Sequence, residues 1–254
     1  MLDMGFVKDV RKIVSRTPRA RQTMFFSATL SASISSLAAD MLRNPSFVEA
    51  SPAASVSGKI AQKVLFVERE NKFALLADVL KDRTMARTLV FTRTKHRADR
   101  IVRLLSNKGI AASAIHSNKS QGARQRALGA FDRGSVRILI ATDIVARGID
   151  VEGISHVVNF ELPNDPASYV HRIGRTARAG TDGVALSFCD FSEVAMLRSI
   201  EKLTRNPLTV VEDHPFHSAS IGMRGSPPRT PASAAGRRPS SRRMLRRGVG
   251  RRPR

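Results

Sequence analysis

The sequence contains a single cysteine, Cys189, among its 254 residues. One cysteine excludes an internal disulfide and is typical of proteins kept in a reducing compartment. No run of about 18 apolar residues occurs that could span a bilayer, and the N-terminus, MLDMGFVKDV, has no hydrophobic signal region. These absences predict a cytoplasmic protein that does not enter a membrane.

Acidic residues are scarce, since 21 Asp and Glu stand against 43 Lys and Arg, for a formal net charge of +22. The imbalance is steepest in residues 214–254, which hold eleven arginines, no lysine and no acidic residue. Such a segment cannot bury enough apolar surface to fold alone, so we predict a disordered basic tail over residues 206–254. A basic chain favours nucleic acid as its polyanionic partner, with an acidic membrane surface as the second alternative. For the tail itself, a merely solubilising extension is a further alternative.

Short apolar runs alternate with stretches of helical periodicity between Ala61 and Cys189. The runs predict strands over residues 62–68, 87–92, 112–117, 137–143, 156–163 and 183–189. Helical spacing of apolar residues predicts helices over about residues 71–80, 98–105 and 121–132. Strands separated by helices of this length indicate βαβ units, so we predict an α/β fold with a parallel sheet flanked by helices. In such sheets ligands bind beyond the carboxyl ends of the strands.

The first 50 residues have a different pattern. They offer one strand candidate at residues 22–29, one helix candidate at about 33–42 and a short apolar run at 46–50. These elements are too few for an independent domain, so we predict that residues 1–50 are the last portion of a domain whose body is absent. Residues 51–60, rich in small side chains, are predicted to link this portion to the main domain at residues 61–205.

An arginine cluster lies in the stretch YVHRIGRTARAG, where Arg172, Arg175 and Arg178 stand three residues apart. If the stretch is helical, the three guanidinium groups lie toward one side. Arginine suits phosphate because its planar fork donates two parallel hydrogen bonds and stays charged. The spacing therefore predicts a phosphate ligand, and the alternative is a solvated basic helix face. By contrast, the His214-x-x-His217 pair has no cysteine or carboxylate at metal-ligand spacing, so no metal site is predicted.

Five strings occur in a fixed order: MLDMGF (1–6), SAT (27–29), HSNKSQGARQR (116–126), ATDIVARGID (141–150) and HRIGRTARAG (171–180). Together they resemble the DEAD-box RNA helicases, particularly the bacterial RhlE-like group, over about residues 1–205. The resemblance implies two RecA-like domains that close over ATP and grip single-stranded RNA. It implies that this chain carries the helicase C-terminal RecA-like domain, a remnant of the first RecA-like domain and the basic tail.

The resemblance also implies roles at the RNA side of the site. Ser27 and Thr29 would couple phosphate hydrolysis to strand separation, whereas a polar strand end leading to a helix cap is the alternative. Gln121, Arg124 and Thr142 would contact the RNA backbone, whose phosphate and sugar oxygens carry affinity without sequence information. For Gln121 and Arg124 a solvated helix face is the alternative.

At the ATP side, the resemblance implies that Asp150 approaches the ribose and that Arg147 and Gly148 join the ATP site to the RNA groove. Asp150 and Gly148 could instead be ordinary turn residues. Arg175 and Arg178 would approach the γ-phosphate as it leaves. An arginine finger of this sort is worth about 10³ to 10⁵ in rate.

Two further residues of the last string, His171 and Arg172, would hold the contact between the two domains. The sequence also departs from the family pattern at two positions, since Ala177 and Ser117 stand where the family often has glycine. If either position needs a positive φ, its side chain costs on the order of 1 kcal/mol.

Neither a G-x-x-x-x-G-K-[ST] string nor an Asp-Glu dipeptide occurs in the sequence. In the family these cradle the phosphates and hold the metal. We therefore expect ATP and Mg2+ to be cofactors of the complete enzyme and the isolated chain to be inactive and to bind neither tightly. The chain would be either a truncated or internally started reading frame or a half-helicase that acts with a separate N-terminal RecA-like domain.

Three functions remain open on these observations. The first is the C-terminal part of an ATP-dependent RNA helicase, which contributes arginine fingers and one half of the RNA groove for duplex unwinding. The second is a catalytically inactive fragment that binds RNA without regard to sequence and depends largely on the basic tail. The third is a fragment of a DNA-directed helicase or a chromatin-type remodeller, which shares the fold but not this combination of strings.

Overall fold

The computed structural model describes residues 6–27, 32–48, 58–146, 149, 151–178 and 180–225. Within these ranges a seven-stranded sheet runs in the order β3-β4-β2-β5-β6-β1-β7, and every strand pair is parallel. The strands are β1 (Ile60–Phe66), β2 (Thr88–Phe91), β3 (Ser113–Ile115), β4 (Ile138–Ala141), β5 (His156–Asn159), β6 (Gly183–Cys189) and β7 (Thr209–Val210). The predicted α/β fold with a parallel sheet is confirmed, and all six predicted strands of the main domain are present.

Helices cover both faces of the sheet. They are α1 (Val7–Ser15), α2 (Ala32–Met41), α3 (Lys72–Val79), α4 (Lys95–Ser106), α5 (Gln121–Asp132), α6 (Asp143–Ala146), α7 (Pro166–Ile173), α8 (Val194–Thr204) and α9 (Ala219–Gly225). On one face α3 and α4 bury Leu76 and Ile101 against the sheet, and on the other α5, α7 and α8 bury Phe131, Ile173 and Leu197. Because the strands are covered on both faces, β2 and β4 are buried along their whole length. No helix within the described ranges has the length and apolarity needed to cross a membrane.

Side-chain caps fix where the helices that follow β2, β3 and β5 begin. Thr94 caps α4, Ser120 caps α5, and Asp165 caps α7 by accepting hydrogen bonds from Ala167 N and Ser168 N. Each cap satisfies backbone N–H groups that have no partner in the first turn of a helix. Because the strands are parallel, the loops after β2, β3 and β5 lie at one carboxyl edge of the sheet, which the sequence predicted as the ligand-binding edge.

The predicted strand over residues 22–29 is wrong for the residues that the structure describes. Residues 21–27 are irregular, and the side chains of Met24 and Phe26 are 69% and 81% exposed. Within the described ranges no strand lies beside this segment, and an extended chain without a neighbour cannot form a ladder. The helix expected at about residues 33–42 is present as α2.

The predicted boundary of the tail is also wrong. Residues 206–225 pack on the domain: β7 pairs with β1, Val67 bridges to His217, and Ile221 at the start of α9 is only 1% exposed. Leu208 is buried beside them, so a few apolar anchors and an open sheet edge hold a segment whose composition predicted disorder. Residues 226–254 lie outside the described residues, as do residues 51–57 of the predicted linker, whose last residue, Ile60, begins β1.

Candidate functional site

Polar side chains gather where β2, β4 and β5 end, at the carboxyl edge of the sheet. Thr92 follows β2 and donates a hydrogen bond to Glu161 Oε2 at 2.8 Å, and Arg93 N donates to the same oxygen at 3.0 Å. Although burial acts to raise it, these hydrogen bonds and the charges of Arg97 and Arg93 lower the pKa of Glu161 below its ordinary value. The carboxyl edge therefore carries fixed charges in a partly desolvated setting.

Arg172 is fully buried at this edge, with 1% of its side chain exposed. Its Nε and Nη2 donate to the two carboxylate oxygens of Asp143 at 2.5 and 2.8 Å. Its Nη1 donates to Asn159 Oδ1 at 3.1 Å and to the carbonyl oxygen of Glu161 at 2.6 Å, and its guanidinium carbon lies 5.0 Å from the centre of the Phe91 ring. All these partners belong to the same domain, and the predicted role of Arg172 at a contact between two domains stays a prediction.

The three arginines do not share one helix face, because α7 ends at Ile173 and Gly174 follows it as the C-cap. Arg175 and Arg178 lie in the turn beyond, so only Arg172 of the three is helical. Arg175 Nη1 donates to the carbonyl oxygen of Ile149 at 3.0 Å, and Arg178 Nε donates to that of Gly174 at 3.0 Å. Both carbonyl acceptors orient the guanidinium groups that bond to them. The contact with Ile149 brings the ATDIVARGID and HRIGRTARAG strings together.

A close approach between this turn and the start of β6 was missed by the sequence analysis. Thr176 is buried and donates to the carbonyl oxygens of Ile154 and, at 3.2 Å, of Ser155. A Cβ atom added at Gly183 would lie 2.3 Å from Thr176 Oγ1 and 2.8 Å from Ala177 N. Glycine at the first position of β6 is therefore what lets the turn that carries Arg175 and Arg178 press against the sheet.

Ala177 has a φ of 56°, in the left-handed region, whereas Ser117 has no positive φ. We expect Ala177→Gly to raise the free energy of unfolding by about 0.5–1 kcal/mol, because relief of the strained alanine exceeds the added entropy of the unfolded chain. Urea unfolding followed by circular dichroism measures the change. The matched control is Ser117→Gly, which adds the same entropy without relieving strain and should lower stability. Stabilisation by both variants, or by neither, would contradict this account.

The residues predicted to contact RNA lie near the ends of β3 and β4, which are neighbouring strands. Thr142 follows β4 and is 8% exposed, and Gln121 is the exposed first residue of α5, which follows β3. Arg124 lies one turn further along α5, and its Nε is buried without a hydrogen-bond acceptor among the described residues. The structure thus brings all three positions to one edge, although the sequence separates Gln121 from Thr142.

A charged group beside them was not predicted. His116 is buried, with Nε2 3.1 Å from Asp99 Oδ2, and Lys119 Nζ lies 2.9 Å from Asp99 Oδ1. Although burial acts to raise it, hydrogen bonds from Lys119 and His116 lower the pKa of Asp99 below its ordinary value. The string HSNKSQGARQR contains His116 and Lys119, but Asp99 comes from α4, so only the fold could show the pairing.

The remaining predicted site residues have no contact described above. Thr29, Arg147, Gly148 and Asp150 lie outside the described residues. Ser27 is exposed in the irregular segment after α1, and His171 is half-buried in the last turn of α7, so their roles stay predictions. In the part of the chain that the structure describes, no group of three or more His, Cys, Asp or Glu side chains is arranged to hold a metal ion.

Comparison with known proteins places this geometry in a class. Residues 71–180 match the family model described as helicase conserved C-terminal domain. The fold resembles Dbp5 of S. cerevisiae bound to RNA and ADP BeF3, with a TM-score of 0.77, 30% identity and coverage of 82% of this chain and 56% of that one. It also resembles the E. coli DEAD-box protein SrmB bound to the regulator of ribonuclease activity A, with 35% identity, a TM-score of 0.58 and coverage of 60% of this chain and 90% of that one. The main domain is therefore a RecA-like helicase C-terminal domain.

The family follows from the same comparisons. The chain is 39% identical over 223 residues to the DEAD-box ATP-dependent RNA helicase CshA of Bacillus subtilis (strain 168), a match that covers 88% of this chain and 45% of that relative. The chain belongs to the DEAD-box helicase family, as its five strings predicted, and it spans less than half the length of this curated relative. Assignment to the RhlE-like group stays a prediction.

Proposed function

We propose that this chain supplies the C-terminal half of the active site of an ATP-dependent RNA helicase. The observation that carries the proposal is the turn after α7, where Arg175 is held by the carbonyl oxygen of Ile149, after α6, and Arg178 by that of Gly174. Cations fixed in advance stabilise charge that develops on a departing phosphoryl group, and they need no reorganisation during the reaction. The two arginines therefore act on the γ-phosphate of an ATP molecule that another domain binds.

The same edge provides one half of an RNA groove. Gln121 and Arg124 on α5 and Thr142 after β4 offer an amide, a guanidinium and a hydroxyl, all of which suit phosphate and sugar oxygens. Such contacts grip RNA irrespective of its sequence. Thr142 lies directly before α6, so the RNA side and the arginine side of the proposed site meet within a few residues.

ATP and Mg2+ are the cofactors that the family implies. The arginines described above fit the phosphates of ATP, whereas the described residues bring no set of carboxylates together that fits Mg2+. We therefore assign to the described arginines the binding and orientation of phosphate. The metal, held by the other domain, would neutralise phosphate charge.

The proposal is tested by mixing this chain with a separately produced N-terminal RecA-like domain of a DEAD-box helicase. We expect ATP hydrolysis that RNA stimulates, which neither component gives alone. Phosphate release measured with and without a single-stranded RNA reports the effect, and single-stranded DNA of equal sequence is the control because it lacks the 2′-hydroxyl. A mixture that hydrolyses no ATP would contradict the proposal.

The second candidate, a non-catalytic protein that binds RNA without regard to sequence, is favoured by the ten arginines of residues 226–254. Because residues 206–225 pack on the sheet, the informative deletion removes only residues 226–254. If the tail does most of the binding, the deletion weakens RNA affinity strongly and flattens the dependence of log K on log salt. An unchanged salt slope in fluorescence anisotropy would exclude this candidate and leave RNA binding to the folded domain.

A further inference from the structure

Arg172 is the largest fully buried side chain of the described residues, and its contacts join parts of the chain that are far apart in sequence. It belongs to α7, Asp143 begins α6 directly after Thr142, and Asn159 ends β5. One guanidinium therefore ties α7 to the ends of two strands. The fork grips both oxygens of Asp143, and a bidentate grip fixes orientation as well as distance.

The joined segments are the two halves of the proposed site. On the strand side, Asp143 stands next to Thr142, which we propose as an RNA contact. On the helix side, Arg175 follows Arg172 by less than one helical turn and begins the turn that carries both proposed phosphate contacts. A displacement of the end of β4 is therefore transmitted to α7 through the contact between Asp143 and Arg172. Arg172 is itself held in place because it also packs over the Phe91 ring of β2.

Stability alone does not account for this ion pair, in which the side chain of Arg172 is 1% exposed and that of Asp143 is 35% exposed. A buried charge loses its hydration, and replacing a buried ion pair by well-packed apolar residues is often neutral or stabilising. An apolar pair cannot supply the fixed orientation that two parallel hydrogen bonds between a guanidinium and a carboxylate impose. The best-attested use of buried polar groups is to set a unique register between elements, and here the elements are β4 and α7.

We propose that Arg172 is a positioning residue which, through Asp143, couples RNA contact at Thr142 to the placement of Arg175 and Arg178. This inference rests on the proposed function. It gives Arg172 a role inside the domain. It also makes Asp143 part of the same link.

The test uses the full chain mixed with the N-terminal RecA-like domain, with the variants Asp143→Asn and Arg172→Gln. We expect kcat of RNA-stimulated ATP hydrolysis to fall by about 10- to 100-fold in each, since small misplacement of a catalytic group costs this much. KM for ATP and the half-saturating RNA concentration should change less than about threefold, because the phosphate and RNA contacts themselves remain. The double variant should lose no more than the worse single variant, because both changes break one link.

Two controls separate positioning from mere stability. Leu105→Ala removes a buried side chain from α4 on the opposite face of the sheet. It should lower the melting temperature but keep kcat per folded molecule. Arg172→Lys keeps the charge without the fork, so we expect it to stay impaired while its folded fraction, measured by circular dichroism, remains high.

The outcomes separate this inference from the proposed function. If the wild-type mixture hydrolyses no ATP, both are overturned. If the wild-type mixture is active and the Asp143 and Arg172 variants keep their kcat, or lose it only in proportion to their folded fraction as Leu105→Ala does, the coupling role alone is overturned. A loss of kcat at constant KM in fully folded variants supports it.

Discussion

Replacing either Arg175 or Arg178 by alanine should lower RNA-stimulated ATP hydrolysis in the reconstituted mixture by about 10³-fold, the lower end of the range for arginine fingers. Both guanidinium groups are oriented by backbone carbonyls, of Ile149 and of Gly174. A cation that is already oriented can stabilise the charge that develops in the transition state without losing further conformational entropy. Its removal should therefore raise the free energy of the transition state. The loss should therefore appear in kcat, measured by phosphate release at saturating ATP and RNA.

The matched control for this prediction is Arg103→Ala. Arg103 is an exposed arginine of α4, so its removal takes away the same charge from a surface outside the proposed site. RNA affinity, measured by anisotropy, should change little in any of the three variants. If Arg103→Ala slowed hydrolysis as much as Arg175→Ala, the effect would come from net charge, and the assignment of the two arginines to the γ-phosphate would be wrong.

The elements of the main domain could be predicted because their signals are local. Strands covered on both faces are apolar throughout, as in β2 and β4, and helices repeat apolar residues every three or four positions. The predicted helix over residues 121–132 coincides with α5 at both ends, where Ser120 supplies the cap. Because the carboxyl ends of parallel strands share one edge, the polar residues after them could be placed together without knowing the strand order.

What could not be predicted depends on long-range contacts. The spacing of Arg172, Arg175 and Arg178 suggested one helix face, but Gly174 ends α7 and Arg172 points into the domain. Burial of an arginine depends on partners from β5 and α6 that no local pattern reveals, although the asparagine at position 159, in an apolar strand, was a signal that a polar partner lies inside.

The errors at residues 22–29 and 206–225 have a common physical origin. An apolar run forms a strand only beside another strand, and the run at residues 22–29 has none among the described residues. Conversely, ten of the eleven arginines of the predicted tail lie in residues 226–254, whereas residues 206–225 contain Leu208 and Ile221, which both find buried positions. The composition of a segment gives its average polarity, whereas two buried apolar side chains such as Leu208 and Ile221 can decide whether it packs on the domain.

The second large effect concerns stability, and it centres on Lys72. This lysine begins α3 and is 1% exposed; its Nζ contacts Glu193 Oε2 and lies 3.0 Å from Asp190 Oδ2. Arg93 Nη2 also reaches Glu193, at 2.6 Å, but its side chain is 32% exposed. We expect Lys72→Met to lower the free energy of unfolding by about 3–5 kcal/mol, because it leaves buried carboxylates without their buried cation. Urea unfolding at pH 7 measures the loss.

The loss caused by Lys72→Met should depend on pH with a defined sign. Burial acts to raise the pKa of Asp190, but hydrogen bonds from Ser192 and the charge of Lys72 lower it below its ordinary value. In the wild type Asp190 therefore stabilises the fold at pH values above its unfolded-state pKa, and this stabilisation is lost as pH falls through its folded-state pKa. Burial raises the pKa of Glu193 against the opposing charge of Lys72. Burial already raises the pKa of Glu193 in the presence of Lys72, so without that charge Glu193 binds a proton still more readily in the folded state than in the unfolded state. The variant therefore loses stability as pH rises, and the difference in unfolding free energy between wild type and variant should widen between about pH 5 and pH 8.

The double variant Lys72→Met/Glu193→Gln removes one unpaired buried charge at nearly constant shape. It should recover part of the lost unfolding free energy at pH 8 and little at pH 5. A deficit that is independent of pH, or that the glutamine does not reduce, would show that lost packing, and not a stranded charge, sets the cost.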